Sequence, residues 1–485
     1  MTTPVTRRPA PRHSHVAPAL LAGALLAFLA HGANAAPAAD PAAIRSLGRD
    51  LLEQLIDTNT THAHGSTGAA KALAERFLAE GFAPADVQVL VPADHPTKGN
   101  LVVRLRGTGK EAALLYLCHL DVVEAKREDW NFDPFKLTEK DGWLYGRGTI
   151  DMKGQDAAVA SSLIRLKREG VRPARDIIVA FTADEESGGD ANGVDWLLKE
   201  HRPLVDAALV INPDGGEAGM KAGRKLYVAV QTSEKVFMSF VLEATDKGGH
   251  SSRPTASNPI YRMGQALTRL SQLRFPVHLT ETTKLYFAGR AGLEQGTKQA
   301  DFRAIAAGTA DAAAEERVSA DVETNIMLRT TCTATMIDGG HAENALPQRT
   351  RVTMQCRAIP GETQDSVAAV LKGAINDASI TIRAITPARP SPESAPNPAL
   401  LATVGAVTHE LWPGVIVLPE MSPGATDSSY SRPAGIPSYG IDGMFDDLDD
   451  GRAHGRDERI GVGAFNDDIE FTYRLMKRLA TSRLR

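Results

Sequence analysis

The chain has 485 residues, of which 43% are apolar, 23% charged and 5% aromatic, with a formal net charge of -5. That length accommodates two domains and a sizeable core, and the balance excludes a chain that stays disordered. A mildly acidic total without a long Lys/Arg run leaves no electrostatic footprint for nucleic acid or an anionic membrane surface, so a small-molecule or peptide substrate is expected.

At the start of the chain, Arg7, Arg8 and Arg12 precede an apolar run over 16–30, and small residues follow to Ala33-Asn34-Ala35-Ala36. About fifteen apolar residues are few for a membrane span, and an Ala-x-Ala site comes next, so 1–36 reads as a secretory signal that is cleaved. Arg7-Arg8 raises a twin-arginine route, but Pro9-Ala10-Pro11 stands where that signal wants bulky residues. The expected destination is the periplasm or the exterior, with no membrane attachment after processing.

Apolar periodicity then predicts helices over 44–57 and 68–80, strands over 101–105 and 113–117, a helix over 157–169, a strand over 177–182, a helix over 193–200 and a strand over 207–211. Alternating strands and helices imply an α/β fold, a mostly parallel sheet with helices on both faces. After about Val230 the pattern changes to a strand over 236–244, a helix over 259–273, a helical or irregular insertion over 274–322, strands over 326–337 and 351–358, a helix over 363–376 and a strand over 380–385. Four strands and two helices make a smaller α+β module that interrupts the first domain. A Pro-rich return over 387–398, a strand over 435–440 and a helix over 467–479 would complete that first domain. The expected divisions are 1–36, 42–230, 231–387 and 388–485.

Three cysteines are too few for a disulfide scaffold. Cys118 reads as a small buried filler. Cys332 and Cys356 lie symmetrically about the turn region Gly339-Gly340 to Pro347, so antiparallel strands would set them opposite each other, bonded or free.

Several segments carry chemistry: His119-Leu120-Asp121, Gly148-Thr149-Ile150-Asp151, Asp184-Glu185-Glu186, Asn212-Pro213-Asp214 and Ala453-His454-Gly455. Each is weak alone, since a strand-end histidine is commonly structural, an Asp in a Gly-rich turn is turn chemistry, and paired Glu marks a solvated edge. Together they supply two His and several carboxylates, most of them on loops after apolar strands, where reactive groups of α/β sheets gather. Catalytic zinc takes such donors, and two ions can share a carboxylate while holding a reactive water.

In these segments the chain resembles the di-zinc peptidase and deacylase family of carboxypeptidase G, aminoacylase, acetylornithine deacetylase, succinyl-diaminopimelate desuccinylase and carboxypeptidase S. The resemblance spans about 42–480. It implies two Zn2+ per subunit, with His119 and Asp214 on one, Glu186 and His454 on the other, and Asp151 bridging. It implies Glu185 as general base and Asp121 as the acceptor that orients His119. Glu458 reads either as a further supporting acid or as a surface residue. Gly248-Gly249-His250-Ser251-Ser252 resembles the family's lid motif, whose histidine reaches into the partner subunit's site, so 231–387 is expected to be a lid and dimerisation domain and the protein a homodimer. Asn344, Arg357 and Gly424 match substrate-contacting positions, Arg357 for a carboxylate. Where many relatives carry Arg, this chain has Ser429, and Arg432 is a candidate substitute.

The expected activity is hydrolysis of an amide or peptide bond next to a free carboxylate, of carboxypeptidase or dipeptidase type. An N-acyl amino acid deacylase is the close alternative, and a binding protein without catalysis the reading from another class.

Overall fold

A computed structural model describes residues 40–187 and 191–482. The expected signal segment, 1–36, lies outside them. Among the described residues no helix is long and apolar enough to cross a membrane.

The larger domain is built on a ten-stranded sheet in the order Val87–Leu90, Asn100–Leu105, Ile177–Thr182, Leu114–His119, Leu209–Asn212, Ser438–Ile441, Arg224–Glu234, Glu217–Lys221 and Phe445–Asp447, with Ile416–Ser422 also paired to Arg224–Glu234. The centre, from Ile177–Thr182 to Ser438–Ile441, is parallel. Antiparallel pairings come where Val87–Leu90, Asn100–Leu105 and Arg224–Glu234 join. The expected α/β layering is present, and its cause is legible strand by strand. Leu114, Tyr116 and Cys118 point into one apolar cluster while Leu115 and Leu117 point into another. Ile177, Val179 and Phe181 divide from Ile178 and Ala180 in the same way. A strand apolar on both faces must be covered on both, and helices Pro41–Ile56, Lys153–Arg168 and Val462–Thr481 cover one side while Gly193–Glu200 covers the other.

The smaller sheet is antiparallel, in the order Thr331–Gly339, Arg349–Ala358, Val236–Thr245, Ile380–Ala384. Its residues Val236, Met238, Phe240, Leu242 and Ala244 alternate onto one face, where Met263, Leu270, Val367 and Leu371 of helices Pro259–Ser271 and Gln364–Ile375 meet them. The chain changes sheet at Lys235, between Arg224–Glu234 and Val236–Thr245. Cys332 and Cys356 are register partners and are joined by a disulfide. Closing a loop of 24 residues, the bond is expected to stabilise this domain by about 3 kcal/mol, and denaturant melts of the Cys332→Ser, Cys356→Ser double variant would measure that loss.

The insertion is helical throughout its main part: Glu281–Arg290, Gly296–Ala307, Ala312–Ser319 and Val322–Leu328. The last of these corrects the strand expected over 326–337, which begins only at Thr331. Asp321 accepts a hydrogen bond from the Thr324 amide at 3.1 Å, and Thr324, Met327 and Leu328 share a buried face, so a cap and helical spacing override the apolar run. Although the insertion falls within 231–387, Tyr286, Phe287, Phe302 and Met327 pack on Tyr227, Ala229 and Leu418 of the larger sheet.

Candidate metal centre

His119 ends strand Leu114–His119, Glu185 and Glu186 follow Ile177–Thr182, and Asp214 sits in the turn Pro213–Gly215 after Leu209–Asn212. Three neighbouring parallel-sheet elements therefore deliver their polar groups to one edge. Asp151 precedes helix Lys153–Arg168, and His454 lies between strands Phe445–Asp447 and Arg459–Gly461.

The five side chains converge. His119 Nε2 lies 3.0 Å from Asp151 Oδ1 and 3.8 Å from Asp214 Oδ1, while His454 Nε2 lies 3.0 Å from Asp151 Oδ2 and 2.9 Å from Glu186 Oε2. Asp151 thus shares one oxygen with each histidine. His119, Asp151 and Glu186 each offer a ligand atom within 4.8 Å of the others. Burial alone would lower His119, yet bonds to Asp151 and Asp214 push it well above its ordinary value. His454, bonded to Asp151 and Glu186, is raised to about 10. The same negative field that raises both histidines would draw divalent cations, and the nitrogen and carboxylate donors suit zinc. Glu186 Oε1 is buried and has no hydrogen-bond partner among the described residues, so it is free to bind a cation.

Asp121 acts differently from expectation. The nearer acceptor to His119 Nδ1 is the Asp121 carbonyl, at 3.0 Å, with the carboxylate at 4.0 Å. The carboxylate instead accepts the amides of Glu185 and Glu186, both at 3.1 Å, and so fixes the loop that carries both acids. Burial, reinforced by Asp214, pushes the Glu185 carboxyl well above the usual range.

Glu458 is fully buried, which removes the surface reading. One oxygen accepts the amides of Gly148, Ile150 and Asp151 at 3.1, 2.8 and 3.3 Å, and the other pairs with Arg147. Arg147 in turn donates to the carbonyls of His454 and Gly455. One acid thereby ties the Asp151 loop to the His454 loop. Glu458→Ala would strand a buried guanidinium, so it is expected to destabilise the chain by about 3–5 kcal/mol and to weaken metal retention, read by thermal melts and metal analysis.

Sequence reasoning missed a second support. Asp184 accepts from Lys98 and contacts His62 Nδ1 at 3.1 Å, which anchors the residue before Glu185. Asp427 accepts from Asn192 at 2.7 Å and from Thr182 at 3.1 Å. The partners lie far apart in sequence, so no local motif announces them.

The remaining expected residues sit outside this cluster. His250 pairs with Ala345 across a two-residue ladder, and the Asn344 carbonyl accepts the Ser251 amide, so His250 and Asn344 share one exposed edge of the smaller domain. His250 Nδ1 lies 2.7 Å from Ser252 Oγ. Arg357, half-buried on strand Arg349–Ala358, has its guanidinium 5.1 Å from the Phe237 ring. The Gly424 amide donates to Ser422 Oγ at 3.0 Å. Arg432 is not free to replace the missing arginine, because it is buried against Glu234 at 3.3 Å and donates to Gln231 Oε1 at 2.8 Å.

The chain is 27% identical over 378 residues to the N-fatty-acyl-amino acid synthase/hydrolase of Homo sapiens, covering 76% of this chain and 74% of that protein. It is 27% identical over 391 residues to the probable carboxypeptidase S-like 2 of Dictyostelium discoideum, covering 78% and 74%. In fold it is similar to an M20 family metallo-carboxypeptidase of Sulfolobus solfataricus, with a TM-score of 0.65 at 18% identity over 89% of this chain and 98% of that one. Residues 115–480 match the model of peptidase family M20/M25/M40; the chain belongs to that family and is an amide-bond hydrolase of the metallopeptidase type.

Proposed function

We propose that this chain is an exported two-zinc hydrolase that cleaves an amide or peptide bond next to a free carboxylate, releasing a C-terminal amino acid from a small peptide. The observation that carries the reading is the division of Asp151 between His119 with Asp214 and His454 with Glu186. Zinc ions held there would polarise the scissile carbonyl and lower the pKa of water to about 7. Glu185, which is not among the five ligands, takes the proton from the attacking water and returns it to the leaving amine. Asp121 keeps Glu185 in place through the backbone of its loop.

Arg357 is assigned to the substrate carboxylate, which its planar fork can bind with two parallel hydrogen bonds. His250 and Asn344, exposed on one edge of the smaller domain, are assigned to a second copy's site, which makes the active form a homodimer. His250 would donate to the oxygen that gains charge as the carbonyl is attacked. Gly424 completes the substrate contacts through its backbone.

Deacylation of N-acyl amino acids is the second reading, favoured by the name of the human relative. Both reactions cut an amide beside a carboxylate and differ in what occupies the acyl side. Metal analysis of the purified protein, followed by assay on dipeptides and N-acyl amino acids, tests the reading. Two zincs per chain and C-terminal amino acid release are expected. A metal-loaded protein that cleaves neither class would leave only a binding role. Export is tested separately by the N-terminus of the mature protein, expected just after Ala36.

A further inference from the structure

A cavity of about 900 Å3 runs from the carboxylates of Asp151 and Asp214 to the helices at 281–328. Part of its wall is set by strand register. Glu217 lies opposite Ala229 and Glu420 opposite Gln231, on the two strands that flank Arg224–Glu234. Ala229 and Gln231 are two residues apart, so both acids leave the sheet on the face that the helices cover. That face is otherwise an apolar cluster of Tyr227, Ala229 and Leu418 against Phe287 and Phe302.

A buried acid on such a face needs a partner, and of the two Glu217 is exposed while Glu420 is not. Glu420 is 8% exposed, lines the cavity, and among the described residues has no hydrogen-bond partner. Burial and the neighbouring Glu217 push its carboxyl well above the usual range. Glu217 is bonded to the Tyr227 hydroxyl. The basic group beside them is Arg290, which donates to the Tyr286 hydroxyl at 2.8 Å and lies 5.2 and 5.5 Å from the Tyr227 and Tyr286 rings. It forms no ion pair within 4.0 Å with either acid. Of the three other bases of the cavity, Lys221 and Lys298 are already paired with Asp449 and Glu294 at 3.0 Å, and Arg224 is exposed at the turn end of the hairpin, five positions from the Ala229 that faces Glu217. The acids therefore outnumber the cation that faces them.

We propose that this cavity is the acyl-side subsite, and that Glu217 and Glu420 recognise a primary ammonium or guanidinium group on the substrate. The proposal rests on the amide-hydrolase reading for the word substrate, and on the cavity alone for the cation. Two acids that face a single guanidinium form a good receptor for a further cation, which can accept hydrogen bonds from neither but donate to both. An unbranched alkyl chain in the same place would strip water from both acids and offer no hydrogen bond. Glu217 is three residues from Asp214, so their Cα atoms are at most about 10 Å apart. A side chain of lysine length attached to the scissile carbonyl covers most of that distance, and the Glu217 side chain reaches out to meet it.

Two compounds of equal length isolate the charge: 6-aminohexanoyl-alanine and heptanoyl-alanine, which differ by ammonium against methyl. With metal-loaded wild type, kcat/KM is expected to be at least about 10-fold higher for the ammonium compound. Glu420→Gln and, separately, Glu217→Gln are expected to reduce that ratio by about 10-fold while leaving heptanoyl-alanine within about 3-fold of wild type. A ratio unchanged in both variants, or a wild-type preference for heptanoyl-alanine, overturns the subsite. If neither compound is cleaved, the hydrolase reading is what fails, and the subsite is then decided by calorimetric binding of the same pair to the metal-loaded protein. Preferential ammonium binding that Glu420→Gln abolishes sustains it, and equal binding or none removes it.

Discussion

Glu185→Gln is expected to lower kcat by about 100- to 10,000-fold, the range over which a positioned proton carrier acts, while KM and metal content stay near wild type. The substitution keeps the shape and hydrogen-bonding capacity of the side chain and removes its ability to exchange a proton. It leaves the loop intact, because Asp121 holds the Glu185 and Glu186 backbone amides rather than the Glu185 carboxylate. Burial is the largest influence raising the Glu185 carboxyl, so it holds a proton more readily than an ordinary carboxylate, as a group that first accepts and then donates requires. Single-turnover kinetics beside metal analysis checks the outcome. A Glu185→Gln protein with full metal and ordinary turnover would assign the proton to another group.

The central sheet and the strand-end residues were legible because their signal is local. Strand Ile177–Thr182 is six consecutive apolar or β-branched residues followed by acids, and only a strand buried on both faces reads that way. The hairpin of Glu217–Lys221 and Arg224–Glu234 was not legible. Its turn is Ala222-Gly223, with both residues at positive φ, in place of the Asn-Gly or Asp-Gly that announces such turns. Helix Pro398–Leu411 was also missed, since its opening Asn397-Pro398 reads equally as the end of a Pro-rich linker until the Asn397 cap on the Leu400 amide is seen. Glu458 and Arg432 illustrate the wider limit. Their partners, Arg147 and Glu234, are separated from them by 311 and 198 positions in the chain, and a charged residue carries no local mark of a remote buried partner. Asp121 is expected from the sequence to orient His119 through its carboxylate, but that carboxylate is bonded to backbone amides that only the folded loop brings near.

Removing Asp151 tests the centre most severely. Among the described residues it is the acid that pairs with both histidines, so Asp151→Ala is expected to abolish retention of both metals and all measurable turnover. Asp214→Ala or Glu186→Ala takes a donor from one side only and should leave about one metal per chain. Proton counting supplies an independent reading of the same site. In the metal-free chain, burial would lower His119 but its carboxylate partners raise it well above its ordinary value, and His454 is raised to about 10 by Asp151 and Glu186. His454 therefore carries a proton at pH 7 and His119 holds one more readily than an ordinary imidazole, whereas a metal ligand must be neutral. Metal binding to wild type should release protons and tighten as pH rises through neutrality, measured by calorimetry in buffers of differing ionisation heat. The sign reverses for the empty protein: its histidine–carboxylate pairs stabilise the fold below the ordinary histidine pKa, and that contribution is lost as pH rises through about 10 for His454. An Asp151→Ala protein that still holds two metals, or metal binding that takes up protons at pH 7, would mean that the histidines and Asp151 do not act as one shared centre.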